Sequence, residues 1–141
     1  MLTQFIYAYI STVGFSLLFN IPKSAILKSA MVGALGWLIY SEVHQFSQSA
    51  ILSTFLGACV VSVLSEIFAR KFKEAVTVFV IPGILPLVPG SGMYNTMLAL
   101  IQQNFSTAAL IGSETIFIAG SIAVAILLVS SFTRLIFLKK I

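Results

Sequence analysis

Four stretches of this chain, residues 1–22, 43–65, 75–113 and 115–133, contain no Asp, Glu, Lys or Arg. A run of roughly 18 or more apolar residues is long enough to cross the hydrocarbon core of a bilayer. Only 9% of the 141 residues are charged and 59% are hydrophobic, with a mean hydropathy of +1.08, whereas a soluble domain carries roughly 25% charged residues. A chain this short has no interior able to hide so much apolar surface. The sequence therefore reads as an all-α integral membrane protein.

The apolar pattern predicts about five crossings, over 2–20, 24–41, 49–69, 75–101 and 114–138, with the fourth broken by a Pro/Gly-rich segment. No long polar linker separates them, so residues 1–141 are expected to form one transmembrane domain. The first segment lacks the basic start and small-x-small site of a cleaved signal peptide, and is expected to stay and span. The lone Cys59 sits in the third segment as a small apolar filler and says nothing about redox compartment.

Basic residues set the expected orientation, because Lys and Arg are retained on the cytoplasmic side. Lys23 and Lys28 follow the first span, Arg70, Lys71 and Lys73 the third, and Lys139 and Lys140 the fifth. Two crossings separate each cluster from the next, which predicts an outside N-terminus and a cytoplasmic C-terminus. That parity requires 75–113 to cross an odd number of times. His44 and Glu114 then fall at external ends, and Trp37 and Tyr40 suit the aromatic belt at the outer interface.

Two helical stripes stand out. Ala25, Ser29 and Gly33 recur every four residues in the second span, as do Thr54, Ala58, Ser62 and Glu66 in the third. Small faces allow close helix packing. An ionised carboxylate facing lipid is costly, so Glu66 must face protein or water. It can form an ion pair with Arg70 or Arg134, or it can be a protonatable group that couples substrate movement to protons.

The stretch "FVIPGILPLVPGSGMYN", residues 79–95, breaks the backbone inside the most apolar region. Pro82, Pro86 and Pro89 cannot donate to a helical ladder, and each ring crowds the carbonyl four residues earlier. Unpaired peptide groups survive at membrane depth only when packed in protein or lining a polar cavity. Ser91 is a candidate N-cap, so a half-helix is expected to start near Gly92 with its free N–H groups aimed into the break. That end attracts anions, and transporters place such ends against substrate carboxylates. The candidate substrate-binding residues are Pro82, Gly83, Pro86, Pro89, Gly90, Ser91, Gly92, Tyr94 and Asn95, and a kinked helix without substrate contact is the competing reading.

"FVIPGILPLVPGSGMYNTM" resembles the signature region of the threonine/serine exporter family, with P-G-x-x-x-Y as its core, and "VGFSLLFNIPKSAILKSAMVGALG" at 13–36 resembles that family's first-to-second helix junction. With the chain's size, the resemblance is to the short, separately encoded subunit of the two-component type, similar to the small subunit of a bacterial succinate exporter pair. It implies export of small carboxylate-bearing metabolites, driven by an ion gradient, across a bacterial cell membrane. It also implies a larger membrane subunit as partner. Besides that partner, the expected neighbours are the lipid bilayer, the substrate and a second copy of the chain, with no nucleic acid.

There is no Walker-type glycine loop, no Cys/His metal constellation and no nucleophile–base pairing. No cofactor, metal or enzymatic activity is expected. The competing functions are a non-transporting accessory or assembly subunit of a membrane complex, and an oligomeric channel.

Overall fold

A computed structural model describes the backbone of residues 1–138 and the side chains of residues 1–135. Lys139 and Lys140, on which part of the expected topology rests, lie outside the described residues. The elements are α1 (Leu2–Leu18), α2 (Lys23–Ser47), α3 (Ala50–Phe72), α4 (Thr77–Ile84), a 3-10 turn (Leu85–Leu87), α5 (Gly90–Ile101) and α6 (Phe105–Leu138).

Short polar segments reverse the chain. Asn20, Gln48, Lys73 and Gln103 take left-handed backbone with φ of 53° to 59°. At three of these turns the next N–H reaches back five residues, Ile21 to Ser16 O (3.0 Å), Glu74 to Ala69 O (3.0 Å) and Asn104 to Ala99 O (2.9 Å), satisfying carbonyls that a helix end leaves open. At the remaining turn Ser49 caps α3, its hydroxyl accepting from the Leu52 N–H at 3.4 Å.

Two expected boundaries move. The second helix runs to Ser47 rather than 41, because the segment after Tyr40 holds neither Gly nor Pro. The last helix starts at Phe105 rather than 114, because Asn104 Oδ1 accepts from the Thr107 N–H at 3.2 Å and caps it. Glu114 therefore lies well inside α6, exposed, and not at a loop.

Three helices, α2, α3 and α6, are long and apolar enough to cross a membrane, and the segments on either side of the break, bent by 56°, make a fourth span if taken together. α1 has 17 residues, the lower limit for a transmembrane helix. The protein is an all-helical, membrane-embedded chain. With 34 residues, α6 extends about 50 Å at 1.5 Å per residue, more than the ~30 Å hydrocarbon core.

Helix α2 is the centre of the bundle, touching α1, α3 and α4, while α6 packs on α3 and carries α5 on its N-terminal half. Small residues make the crossings. A Cβ on Gly57 would stand 3.0 Å from Gly36 O, so α2 and α3 meet backbone to backbone there. Both predicted stripes are buried through Ala25, Ser29 and Gly33 and through Thr54, Ala58 and Ser62. Several buried hydroxyls donate to the turn below, as with Thr12 to Ala8 O (2.8 Å), Ser16 to Thr12 O (2.7 Å) and Ser62 to Ala58 O (2.8 Å), whereas the buried Ser65 hydroxyl has no partner among the described residues.

Candidate functional site

The backbone break is built in three steps. Pro82 lies inside α4, which leaves the Val78 carbonyl, four residues earlier, without its ladder donor. The Ser29 hydroxyl, from α2, stands 3.0 Å from Val78 O and can supply that bond, with Ala25 O also at 3.0 Å. Pro86 then forces the chain into the 3-10 turn at Leu85–Leu87, where the Val88 N–H donates to Leu85 O at 3.2 Å.

Pro89 completes the break. Its φ of −76° and ψ of 62° are those of an inverse γ-turn, and the Gly90 N–H donates to Val88 O at 2.8 Å. Helix α5 starts immediately, with Met93 N–H donating to Pro89 O at 3.1 Å. The cap residue is thus Pro89 rather than Ser91, and Ser91 sits within the first turn. The proline preorganises the bend without a side-chain cap. Of the N–H groups that open α5, Gly90's is used by the γ-turn, while those of Ser91 and Gly92 have no partner in the ladder.

Two clefts flank the bend and share a wall. One, of about 200 Å³, lies between Trp37, Tyr40, Thr54, Ile118, residues 86–89 and Ser91. The other, of about 310 Å³, lies between Gln4, Tyr7, Ala8 and Ser11 of α1, and Trp37 and Pro86. None of these lining residues is charged, so the positive end of the α5 dipole is the main fixed electrostatic feature beside Ser91.

The expected site residues divide into groups. Pro86, Pro89 and Ser91 line the smaller cleft. Gly90 is exposed beside them, and a Cβ there would meet nothing within 4 Å. Pro82 and Gly83 are buried, and a Cβ on Gly83 would stand 3.1 Å from Val32 and 3.2 Å from Val61, so Gly83 seats α4 on α2 and α3. Gly92 packs on Thr115 of α6, and Gly112 of α6 in turn packs on Thr96. Tyr94, 67% exposed, and Asn95 point away from this helix pair.

Glu66, with only 13% of its side chain exposed, pairs with Arg70 at 3.2 Å. Arg134 instead lines a separate cleft on α6 with Leu127, Ser130 and Ser131.

Trp37 and Tyr40, expected at the outer interface, line the cleft beside Ser91, a role that their sequence positions do not indicate. Ending α2 at 41 placed them near a helix end, whereas in a helix that runs from Lys23 to Ser47 they lie at mid-length. The unbroken sequence from 41 to 47 was the signal.

Residues 4–132 match the family model described as "Threonine/Serine exporter, ThrE". An uncharacterized protein of Haemophilus influenzae is 29% identical over 102 residues, covering 72% of this chain and 34% of that protein. The chain thus spans about a third of the length of that curated relative. No solved structure matches.

Proposed function

Because the chain belongs to the threonine/serine exporter family, we propose that it is the small membrane subunit of a secondary exporter. Its substrates are amino acids such as threonine and serine, or small dicarboxylates such as succinate, moved by an ion gradient. The observation that carries this reading is the backbone break itself, in which an inverse γ-turn at Pro89 starts α5 beside an uncharged cleft that Pro89 and Ser91 line. A carboxylate entering there finds the free N–H groups of Ser91 and Gly92 in surroundings that screen it poorly. Pro86, Pro89, Gly90 and Ser91 form the contact surface, and Pro82, Gly83 and Gly92 hold the bend in place. Tyr94 and Asn95 present donors on the open face of α5, toward a larger subunit of the same exporter or a second copy.

The chain sits in a bacterial cell membrane with its N-terminus outside. Lys28 supports this orientation: its Nζ lies 3.5 Å from the Phe72 ring centroid, which gathers the basic residues at the start of α2 and the end of α3 on one side. Glu66, mostly covered and next to Arg70, is the candidate for proton coupling.

The test is export of a substrate and of its uncharged amide analogue by the complete exporter in membrane vesicles. The substrate should leave and the amide should not. Gly90→Val should block export at normal protein levels, because Gly90 contacts nothing that a side chain would displace. Equal export of acid and amide would overturn the carboxylate site.

A second reading, an assembly subunit that touches no substrate, draws support from Gly83 and Gly92, whose packing roles need no ligand. It predicts that Gly90→Val is silent.

A further inference from the structure

The two clefts beside the bend have two lining residues in common. Trp37 borders both, and Pro86 faces it as the other shared residue. The indole is braced. Its ring centroid stands 5.0 Å from that of Tyr40, which stacks on His44 at 5.6 Å. Tyr40 is fixed in turn at the crossing of α2 and α3, where a Cβ on Gly57 would lie 3.2 Å from Tyr40 Cβ. A side chain held in this way forms part of the wall of the cleft beside Ser91, whose volume is about 200 Å³. That is below the roughly 300–1,000 Å³ of pockets for drug-sized ligands.

We propose that Trp37 determines substrate size: its indole closes the carboxylate cleft against the α1 cleft and excludes acids with bulky or long remainders. This rests on the exporter reading above. Removing the indole joins the two clefts into one space within the range that takes larger ligands, with the α5 N-terminus unchanged at one end. The Gln4, Tyr7 and Ser11 side of α1 would then receive the remainder of a longer molecule. Trp37→Ala should therefore relax selectivity rather than abolish binding, and Trp37→Phe, which keeps an aromatic wall, should leave selectivity near that of the unmodified protein.

Trp37 is the only tryptophan in the sequence, which gives a readout independent of any variant. With the full chain and its exporter partner in lipid vesicles, serine, threonine and succinate would be compared with phenylalanine and an eight-carbon dicarboxylate as competitors of export. The expected result is at least a tenfold rise in the potency of the bulky acids, relative to the small ones, in Trp37→Ala, with less than a threefold change in Trp37→Phe. The emission of Trp37 in the purified unmodified chain should shift or quench on adding the small substrate at concentrations that saturate export.

Small-substrate export by Trp37→Ala with an unchanged size preference would overturn the proposal and leave the exporter reading intact. Saturable small-substrate binding, detected by calorimetry, without any change in Trp37 emission would do the same even if Trp37→Ala failed to fold. An unmodified exporter that neither binds nor moves any small acid would remove both.

Discussion

Replacing Ser29 by Ala should destabilise the protein through a carbonyl on another helix. Ser29 is fully buried, and its hydroxyl lies 3.0 Å from both Ala25 O and Val78 O. Ala25 O already has a ladder donor in the Ser29 N–H, whereas Val78 O has lost its own to Pro82. The hydroxyl therefore matters mainly at Val78. A buried acceptor left without a partner costs about 1–3 kcal/mol, while interhelical side-chain hydrogen bonds in membrane proteins average about 0.6 and reach about 1.7 kcal/mol. The expected loss is about 1 kcal/mol, roughly a fivefold change in the folding equilibrium.

The mechanism, and not only the size, can be checked with a double-mutant cycle. Pro82→Ala restores an N–H four residues after Val78, so Ser29→Ala in that background should cost much less than in the native one. Reversible unfolding in mixed micelles, followed by circular dichroism, gives the four stabilities. Native-state hydrogen exchange would place the loosening in α4. If Ser29→Ala costs the same in both backgrounds, the two changes are additive, and the account of Ser29 as the substitute donor for Pro82 fails.

Gly92→Leu should drive α5 off α6, because Gly92 faces Thr115, and should lower the amount of assembled protein in membranes. A normal yield with only export lost would show that Gly92 matters for the substrate site and not for α5–α6 packing. Asn104→Ala removes the cap of α6 and should cost about 1 kcal/mol in the same unfolding assay. Glu66→Gln breaks an i,i+4 pair whose Arg70 side chain is 40% exposed, so stability should fall by no more than about 0.5 kcal/mol. If the pH dependence of export is also unchanged, Glu66 does not carry a coupling proton. Single cysteines at Ser24 and Lys73, in a Cys59→Ser background, should be labelled from the same, cytoplasmic side, and opposite sides would overturn the topology.

The helical membrane class was legible in the charge-free runs, since nothing but a bilayer accommodates them, and the broken fourth segment was legible in three prolines. Helix ends were harder to read. Nothing in the sequence marks Asn104 as the start of α6, because its capping depends on the side chain turning back to Thr107, and many exposed asparagines do no such thing. Ser91 looked like a cap for the opposite reason, a good capping residue in a suitable place. The γ-turn at Pro89 starts the helix two residues earlier and leaves that hydroxyl no cap to make. Trp37 could not be assigned to the clefts from its own neighbours in sequence. Its position depends on Gly36 and Gly57 meeting, a contact between segments 21 residues apart.

Three glycines within ten residues of one motif show why a motif alone does not delimit a site. Gly83 is fixed by Val32 and Val61, Gly92 by Thr115, and Gly90 by nothing. None has a positive φ, so backbone strain explains none of them. For Gly83 and Gly92 the missing side chain is accounted for by the helix that occupies its place. At Gly90 the space is open and borders both the γ-turn and the first free N–H groups of α5. Gly14 and Gly120 also meet nothing, so open space alone does not mark a site; Gly90 differs from them in lying between Pro89 and Ser91, which line the cleft of the proposed carboxylate site. The carboxylate reading therefore depends on Gly90 and its neighbours Pro89 and Ser91 more than on the buried half of the motif.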